Sequence, residues 1–427
     1  MQRLRNFREA DLVPPREHLT FAKRLPRRFC RRPRLVVSLL LLALTGALPS
    51  SAIPPSLAQT AAAPAAQPGQ PGEFQTVAPG IEHLQIVRGS KSDSGASGPW
   101  LINLLRLDLT KAKLRWVHAL DEAVGLETVS SMAARYDAVA GINTGYFRTT
   151  GTYRGDSIGV NVLDGKLISE PNNNRAAMGL IERPGKTEVV FGHLKFNASL
   201  NVLGRAGHLI NGFNRPRAEN ELIIFTPEFH RTTLTNPDGL ELIVRRGRVV
   251  VRHDLKGSNI IPPDGFVISA GGTARQWALD NLRTGSRVRI DSSLTPLDRE
   301  QSQLWQQALT VGGGGPQLIK GGRIQITTAA EKMLPNFATD RHPRTAVAKL
   351  GDGKLLLVTV DGRQPNVSVG MSLTELAALL LELGATDAIN LDGGGSTTMV
   401  IRNKIVNKPS DASGERPVSD AILVFSP

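Results

Sequence analysis

The chain has 427 residues, 41 % hydrophobic and 21 % charged, which is enough apolar material for a packed core and too much for a disordered or collagen-like polymer. The net charge of +13 is concentrated at one end: residues 1–34 hold eleven Lys/Arg against Glu9, Asp11 and Glu17, a net of +8, leaving +5 for the rest. So mild an excess over the body implies no nucleic-acid partner.

The basic opening runs into an apolar stretch at 35–48, short for a bilayer span and of signal-peptide length. Small residues at Ser50-Ser51-Ala52 and Ser56-Leu57-Ala58 place a cleavage between about residues 50 and 60. Residues 1–58 are therefore read as a basic leader and signal peptide. The expected location is periplasmic or extracellular, with membrane contact only through an uncleaved signal segment. Cys30, the only cysteine, precedes the apolar core, so the processed chain has no disulfide, thiolate zinc site or cysteine nucleophile. Residues 59–80, rich in Ala, Pro, Gln and Gly, read as a flexible tether, and 81–427 as one domain.

Alternating apolar runs predict strands at 81–87, 99–109 and 113–119, followed by a helix at 128–136 and a short buried strand at 138–142. Asp164-Gly165, set between alternating apolar residues, predicts a hairpin. Further strands are expected at 187–191, 222–225, 240–244, 249–251 and 266–269, and helices at 274–282 and 298–308. Gly312–Gly315, ahead of Pro316, reads as a glycine run open to close approach by a phosphate or sugar, or as a turn. The last quarter changes style. Strands at 346–349 and 355–360 flank Gly351-Asp352-Gly353, an amphipathic helix follows at 372–383, and a buried strand at 388–391. Residues 355–391 thus form a strand–helix–strand unit with parallel strands. The fold class is α+β: a large mixed, mostly antiparallel sheet with flanking helices and a C-terminal βαβ unit.

Both strands of that unit run into Asp-Gly, at Asp361-Gly362 and Asp392-Gly393. A parallel pair brings its carboxyl ends to one edge, so the two aspartates should emerge about 5 Å apart on adjacent strands or about 10 Å apart across one intervening strand. Each Asp-Gly alone is also ordinary turn chemistry. Paired carboxylates at such spacing suit glycoside cleavage, or a Mg²⁺ or Ca²⁺ ion with Asn390 as a further ligand. Gly393-Gly394-Gly395 lets a phosphate or sugar approach the backbone closely. Arg344 and Arg363 are candidate phosphate clamps. Glu375 lies near enough to serve as an acid or base, although Ser372-Leu373-Thr374-Glu375 has the spacing of a capping box. No Walker loop, His-Glu-x-x-His zinc motif or Gly-x-Ser-x-Gly elbow occurs.

The motifs Asn143-Thr144-Gly145-Tyr146-Phe147, Arg341-His342-Pro343-Arg344-Thr345, Val360-Asp361-Gly362-Arg363, Ser372-Leu373-Thr374-Glu375 and Asn390-Leu391-Asp392-Gly393-Gly394-Gly395-Ser396, in that order, resemble the phosphodiester glycosidase family. The resemblance covers roughly residues 81 to 427 and implies hydrolysis between a sugar's anomeric carbon and a phosphodiester oxygen. It makes Asp392 or Asp361 the nucleophile or base. Arg344 and Arg363 would hold phosphate, and Asn143 and Ser396 would hydrogen-bond sugar or phosphate. The expected partner is an envelope or extracellular glycan with sugar-1-phosphate links, and no cofactor is required. Two other readings stand beside it: a metal-dependent phosphodiesterase and a non-catalytic glycan-binding protein.

Overall fold

The computed structural model describes residues 72–89 and 98–426. The leader, the signal segment, Cys30 and the tether up to residue 71 lie outside the described residues.

An eight-stranded sheet carries the C-terminal unit. Its order is Gln75–Ala78, Ile81–Arg88, Trp100–Leu107, Leu355–Val360, Arg344–Leu350, Ala385–Asn390, Gln317–Lys320 and Arg323–Ile324, with every neighbour antiparallel. Leu355–Val360 and Ala385–Asn390 run parallel to each other, as expected, but Arg344–Leu350 lies between them in the opposite direction. The first strand falls inside the span assigned to the tether, because Gln75 and Thr76 pair with His83 and Glu82, so the ordered sheet begins before Ile81.

The helix Leu373–Glu382 covers one face of this sheet. Its apolar residues recur at Leu373, Leu376, Ala377 and Leu380, the spacing that puts them on one side. They meet Ile102, Ala346, Leu356 and Val358. Each leucine so buried contributes about 1.5–3 kcal/mol of transfer free energy. Ser372 caps the helix in a complete capping box, and Gly384 leaves it at φ 86°.

The other face packs on a five-stranded sheet ordered Lys404–Ile405, Met399–Ile401, Ala140–Asn143, Asp420–Phe425 and Lys113–His118. Leu105, Leu357 and Ile389 of the larger sheet meet Trp116, Ile142 and Ile422 of this one. The helix Val129–Arg135, capped by Thr128, closes its outer face through Met132 and Ala133. The layer order is therefore helix, sheet, sheet, helix.

The middle of the chain, expected as a single mixed sheet, divides between two. One holds the 17-residue strand Lys186–Val202, of which only 187–191 was legible, and the hairpin Asn161–Leu163/Lys166–Ser169 turns at Asp164-Gly165 as predicted. The other holds Leu222–Phe225, Leu240–Arg245, Arg248–Asp254 and Gly265–Ala270, backed by the helix Gly272–Asn281. The helix expected at 298–308 shrinks to a 3₁₀ turn and the four-residue Ser302–Trp305, since only Trp305 of that stretch is buried. The expected turn at Gly312–Gly315 begins instead as the strand Thr310–Gly313. Glycine is needed there because a Cβ on Gly312 would stand 2.0 Å from the Trp116 ring. Among the described residues, no helix is long and apolar enough to cross a membrane.

Candidate active site

Three strand ends meet on one rim of the eight-stranded sheet. Leu355–Val360 ends into Asp361, Arg344 opens the strand between, and Ala385–Asn390 ends into Leu391 and Asp392. The two aspartates thus emerge across one intervening strand. Backbone bonds fix Asp392: its N–H donates to Thr144 O at 2.8 Å, and its carbonyl accepts from Asn143 Nδ2 at 2.7 Å. Leu391 N–H donates to Thr345 O at 2.8 Å.

Asn143 is buried and already holds the protein together on both sides of its amide. Its Oδ1 accepts from Thr345 Oγ1 at 2.9 Å and Thr398 N–H at 3.1 Å, so it clasps the two sheets together. Asp420 does similar work one step on, accepting the Gly145 N–H at 2.8 Å and the Thr144 hydroxyl. This anchors the turn that presents Tyr146. The phenol donates to Gly315 O at 2.7 Å and accepts from Asn390 Nδ2 at 2.9 Å. Burial, and then the negative charge of Asp392, raise the Tyr146 pKa, so it stays protonated. Asn390 also donates to Gly315 O, while its Oδ1 is buried without a partner among the described residues.

Beyond Asp392, packing requires glycine at 393, where a Cβ would stand 2.6 Å from Pro343 O. A Cβ on Gly395 would meet the Arg416 guanidinium, and Gly394, at φ 62°, lies against the Arg363 guanidinium. Arg416 itself is paired with Asp411 at 2.7 Å. Ser396 is buried beside Asp392, and its hydroxyl makes no hydrogen bond of good geometry among the described residues.

The two rim carboxylates differ. Asp392 is half-buried. Desolvation pushes its carboxyl up to about 6 against the pull of Ser396, Arg416 and the Gly393 N–H, with the Asp420 charge adding to the rise. Asp361 is also pushed up to about 6 by burial, but it is only 1 % exposed and fully engaged. Asn407 Nδ2 donates to one oxygen at 3.0 Å and Lys408 N–H to the other at 2.8 Å. It clamps the 407–408 loop, an engagement its expected role as nucleophile or base would have to break. The same holds for its expected role as a metal ligand beside Asp392 and Asn390. Among the described residues, no three His, Cys, Asp or Glu side chains gather as a metal set.

Glu375 takes the capping position its spacing offered. It accepts the Ser372 N–H at 2.9 Å and pairs with Arg341. Burial would raise its pKa, but these bonds outweigh it and hold the carboxyl below the usual range. An ionised, doubly engaged carboxylate cannot donate a catalytic proton.

The two arginines expected to hold phosphate stand at the same rim. Arg344 is 2 % exposed and has no carboxylate partner among the described residues. Its Nε donates to Met371 O at 2.9 Å and Nη2 to Asp340 O at 2.7 Å, while the Phe337 ring lies 5.3 Å away. Burial pulls its pKa down to about 10. Arg363 is exposed and likewise without a carboxylate, its Nη2 lying 3.5 Å from His342 Nδ1. Burial, followed by the two arginines, lowers the His342 pKa, so the ring is neutral at pH 7. A buried cation without a counter-ion is costly, and an arriving anion offsets that cost. The site-facing residues absent from the sequence reading are Tyr146, Asp420 and Arg175. Tyr146 sat inside a quoted motif, whereas Asp420 and Arg175 carried no local signal.

This is the geometry of a site for an anionic substrate around one free carboxylate. Residues 238–425 match the family model for phosphodiester glycosidase, and through that segment the chain is similar to that family. It is 39 % identical over 187 residues to the N-acetylglucosamine-1-phosphodiester alpha-N-acetylglucosaminidase of Bos taurus, and 37 % identical to that of Homo sapiens. Each match takes in 40 % of this chain and 34 % of the relative, so the chain spans about a third of the length of these enzymes. A prophage-derived protein of Bacillus subtilis, YomE, is 38 % identical over 116 residues, 26 % of this chain and 17 % of that one. Among solved structures, a Burkholderia pseudomallei protein described as "Putative exported protein" superposes with a TM-score of 0.68 at 27 % identity, over 78 % of this chain and 75 % of that one. A hypothetical protein from Synechocystis shares the fold, with a TM-score of 0.70 at 23 % identity, over 82 % of this chain and 62 % of that one.

Proposed function

We propose that the protein is an exported hydrolase that cleaves a sugar from a sugar-1-phosphodiester in an envelope or extracellular glycan, with no resident metal. One observation carries this reading: a carboxylate held near pH 6, Asp392, stands on the same rim as Arg344, a buried guanidinium with no carboxylate partner. Export is supported by the basic-then-apolar leader and by the description that the Burkholderia protein carries.

Arg344 and Arg363 take the phosphodiester oxygens, and the glycine loop lets the phosphate close on the backbone. The C1–O bond breaks with its electron pair going to the phosphate oxygen. A phosphomonoester leaves readily as an anion, so the site can work without a second carboxyl as general acid. Positive charge grows at C1, where ionised Asp392 stabilises it. Asp392 either attacks C1 or takes a proton from the water that does, and the released anomer separates the two: retention for attack, inversion for water. The water's other proton stays on the new hemiacetal hydroxyl.

The test incubates purified protein with an N-acetylglucosamine-1-phosphodiester in ¹⁸O-water, with and without EDTA. Label in the sugar, in an EDTA-resistant reaction that vanishes in Asp392→Asn, is the expected result. Label in phosphate would establish P–O cleavage, and binding without turnover a glycan-binding protein; either overturns the reading.

A further inference from the structure

The strand Ala176–Arg183 starts beside the site, tied there by Gly314 N–H donating to Ala176 O at 2.8 Å. The four residues before it, Asn172-Asn173-Asn174-Arg175, form a tight turn closed by Arg175 N–H on Asn172 O at 3.0 Å. Asn173 and Asn174 are exposed, with φ of 52° and 50°, and the three amide side chains make no hydrogen bond among the described residues. Such free amides suit sugar hydroxyls.

Arg175 is the unusual member. Its guanidinium has no ion pair or hydrogen bond among the described residues, and its Nε is shielded from water without a partner. It lies 5.3 Å from the Tyr146 ring centre. Tyr146 meets Phe337 edge-on at 6.5 Å, and Arg344 lies 5.3 Å from the Phe337 ring. Two cations without carboxylate partners thus stand at opposite ends of one aromatic pair. The nearby carboxylate Glu331 is committed through Oε1 to Gln317 N–H, Thr327 Oγ1 and His193, while its buried Oε2 is unpartnered and faces Gly315.

We propose that Arg175, with Asn172, Asn173 and Asn174, forms a second anion-recognising subsite on the glycosyl side of the scissile bond, so that the substrate is an anionic glycan with a negative group beyond its scissile phosphodiester. The inference rests on the hydrolase reading, in which Arg344 and Arg363 already hold the scissile phosphate. A sugar carboxylate or a neighbouring phosphodiester has the required chemistry, since both match a guanidinium fork.

Three substrates with the same leaving group test it: a neutral hexose-1-phosphodiester, a uronic acid-1-phosphodiester, and a two-sugar compound with a second phosphodiester. The expected wild-type preference for at least one charged substrate over the neutral one is about tenfold or more in kcat/KM, with the favoured compound naming the anion. Arg175→Gln should collapse that ratio towards one, chiefly through KM, and Arg175→Lys should restore part of it. Equal losses on all three substrates, or a wild type that hydrolyses them without preference, would overturn the proposal. Equilibrium binding of the same compounds to Asp392→Asn, with and without Arg175→Gln, decides the subsite separately if no substrate turns over. A charge preference in binding that Arg175→Gln removes would support it, and identical affinities would sink it.

Discussion

The strands Leu355–Val360 and Ala385–Asn390 run in the same direction through one sheet, and each is followed within two residues by Asp-Gly. Their carboxyls are shifted alike, both to about 6 and both chiefly by burial. Yet one end is closed and the other open. The loop at 407–408 folds over Asp361 and bonds both of its oxygens, whereas Asp392 keeps partial exposure beside Tyr146, Arg416 and the glycine loop. A perturbed carboxyl marks a functional residue only when some of its hydrogen-bonding capacity is unspent; the same shift at Asp361 reports a structural clamp.

The largest effect that would break this contrast is at Asp392. Asp392→Asn should lower kcat/KM by about 10³-fold or more, roughly 4 kcal/mol of transition-state stabilisation, with the melting temperature nearly unchanged. A variant that keeps wild-type turnover would remove Asp392 from the chemistry. At the closed end the effect should fall on stability. Asp361→Ala strands the Asn407 and Lys408 donors and should cost roughly 2–4 kcal/mol in denaturant unfolding, with the folded fraction still active.

The pH dependence sharpens the same point. Asp361 binds its proton more tightly folded than unfolded, so its contribution is fully present below about pH 4 and lost as the pH rises through about 6. That share is up to about 3 kcal/mol, and a melting series from pH 4 to 7 should show a smaller decline in Asp361→Asn than in wild type. Activity should move the other way. Because Asp392 acts ionised, kcat/KM should fall as the pH drops through about 6, with that limb absent from the residual activity of Asp392→Asn. Next in size, Arg344→Gln should raise KM for the phosphodiester by about 10–100-fold, the range of a charge-assisted hydrogen bond. The smallest effect belongs to Glu375→Gln, which keeps a capping side chain and loses the Arg341 pair. About 1 kcal/mol of stability or less should go, with kcat near wild type.

What the sequence disclosed was local. Ser372 and Glu375 are three residues apart, and their spacing announced the cap that forms; Asp164-Gly165 announced its hairpin. The helical period of 372–383 and the apolar strands around it put both aspartates on one rim. What decided their roles came from far along the chain. Asn407 lies 46 residues from Asp361, Asn390 lies 244 from Tyr146, and Asp420 lies 276 from Thr144. No periodicity or turn rule reports such pairings, because each depends on register between separate strands. For the same reason the sequence left open whether the parallel pair is adjacent or split by one strand, and the strand that splits it delivers Arg344 to the rim. Asn143, read as a ligand for sugar or phosphate, is also a clasp, and its partners Thr345 and Thr398 come from two other segments that the sequence does not join to it.

The strand Asp420–Phe425 sits between Ala140–Asn143 and Lys113–His118, and its first residue anchors the turn that carries Tyr146. During synthesis, those two strands and that turn leave the ribosome long before their shared neighbour exists. Until residue 425 has been made, the sheet has two open edges and the Thr144-Gly145 turn has no anchor. The anchor of the turn that carries Tyr146 is thus made long after the turn itself. A chain cut short of this strand would present sticky edges to its neighbours.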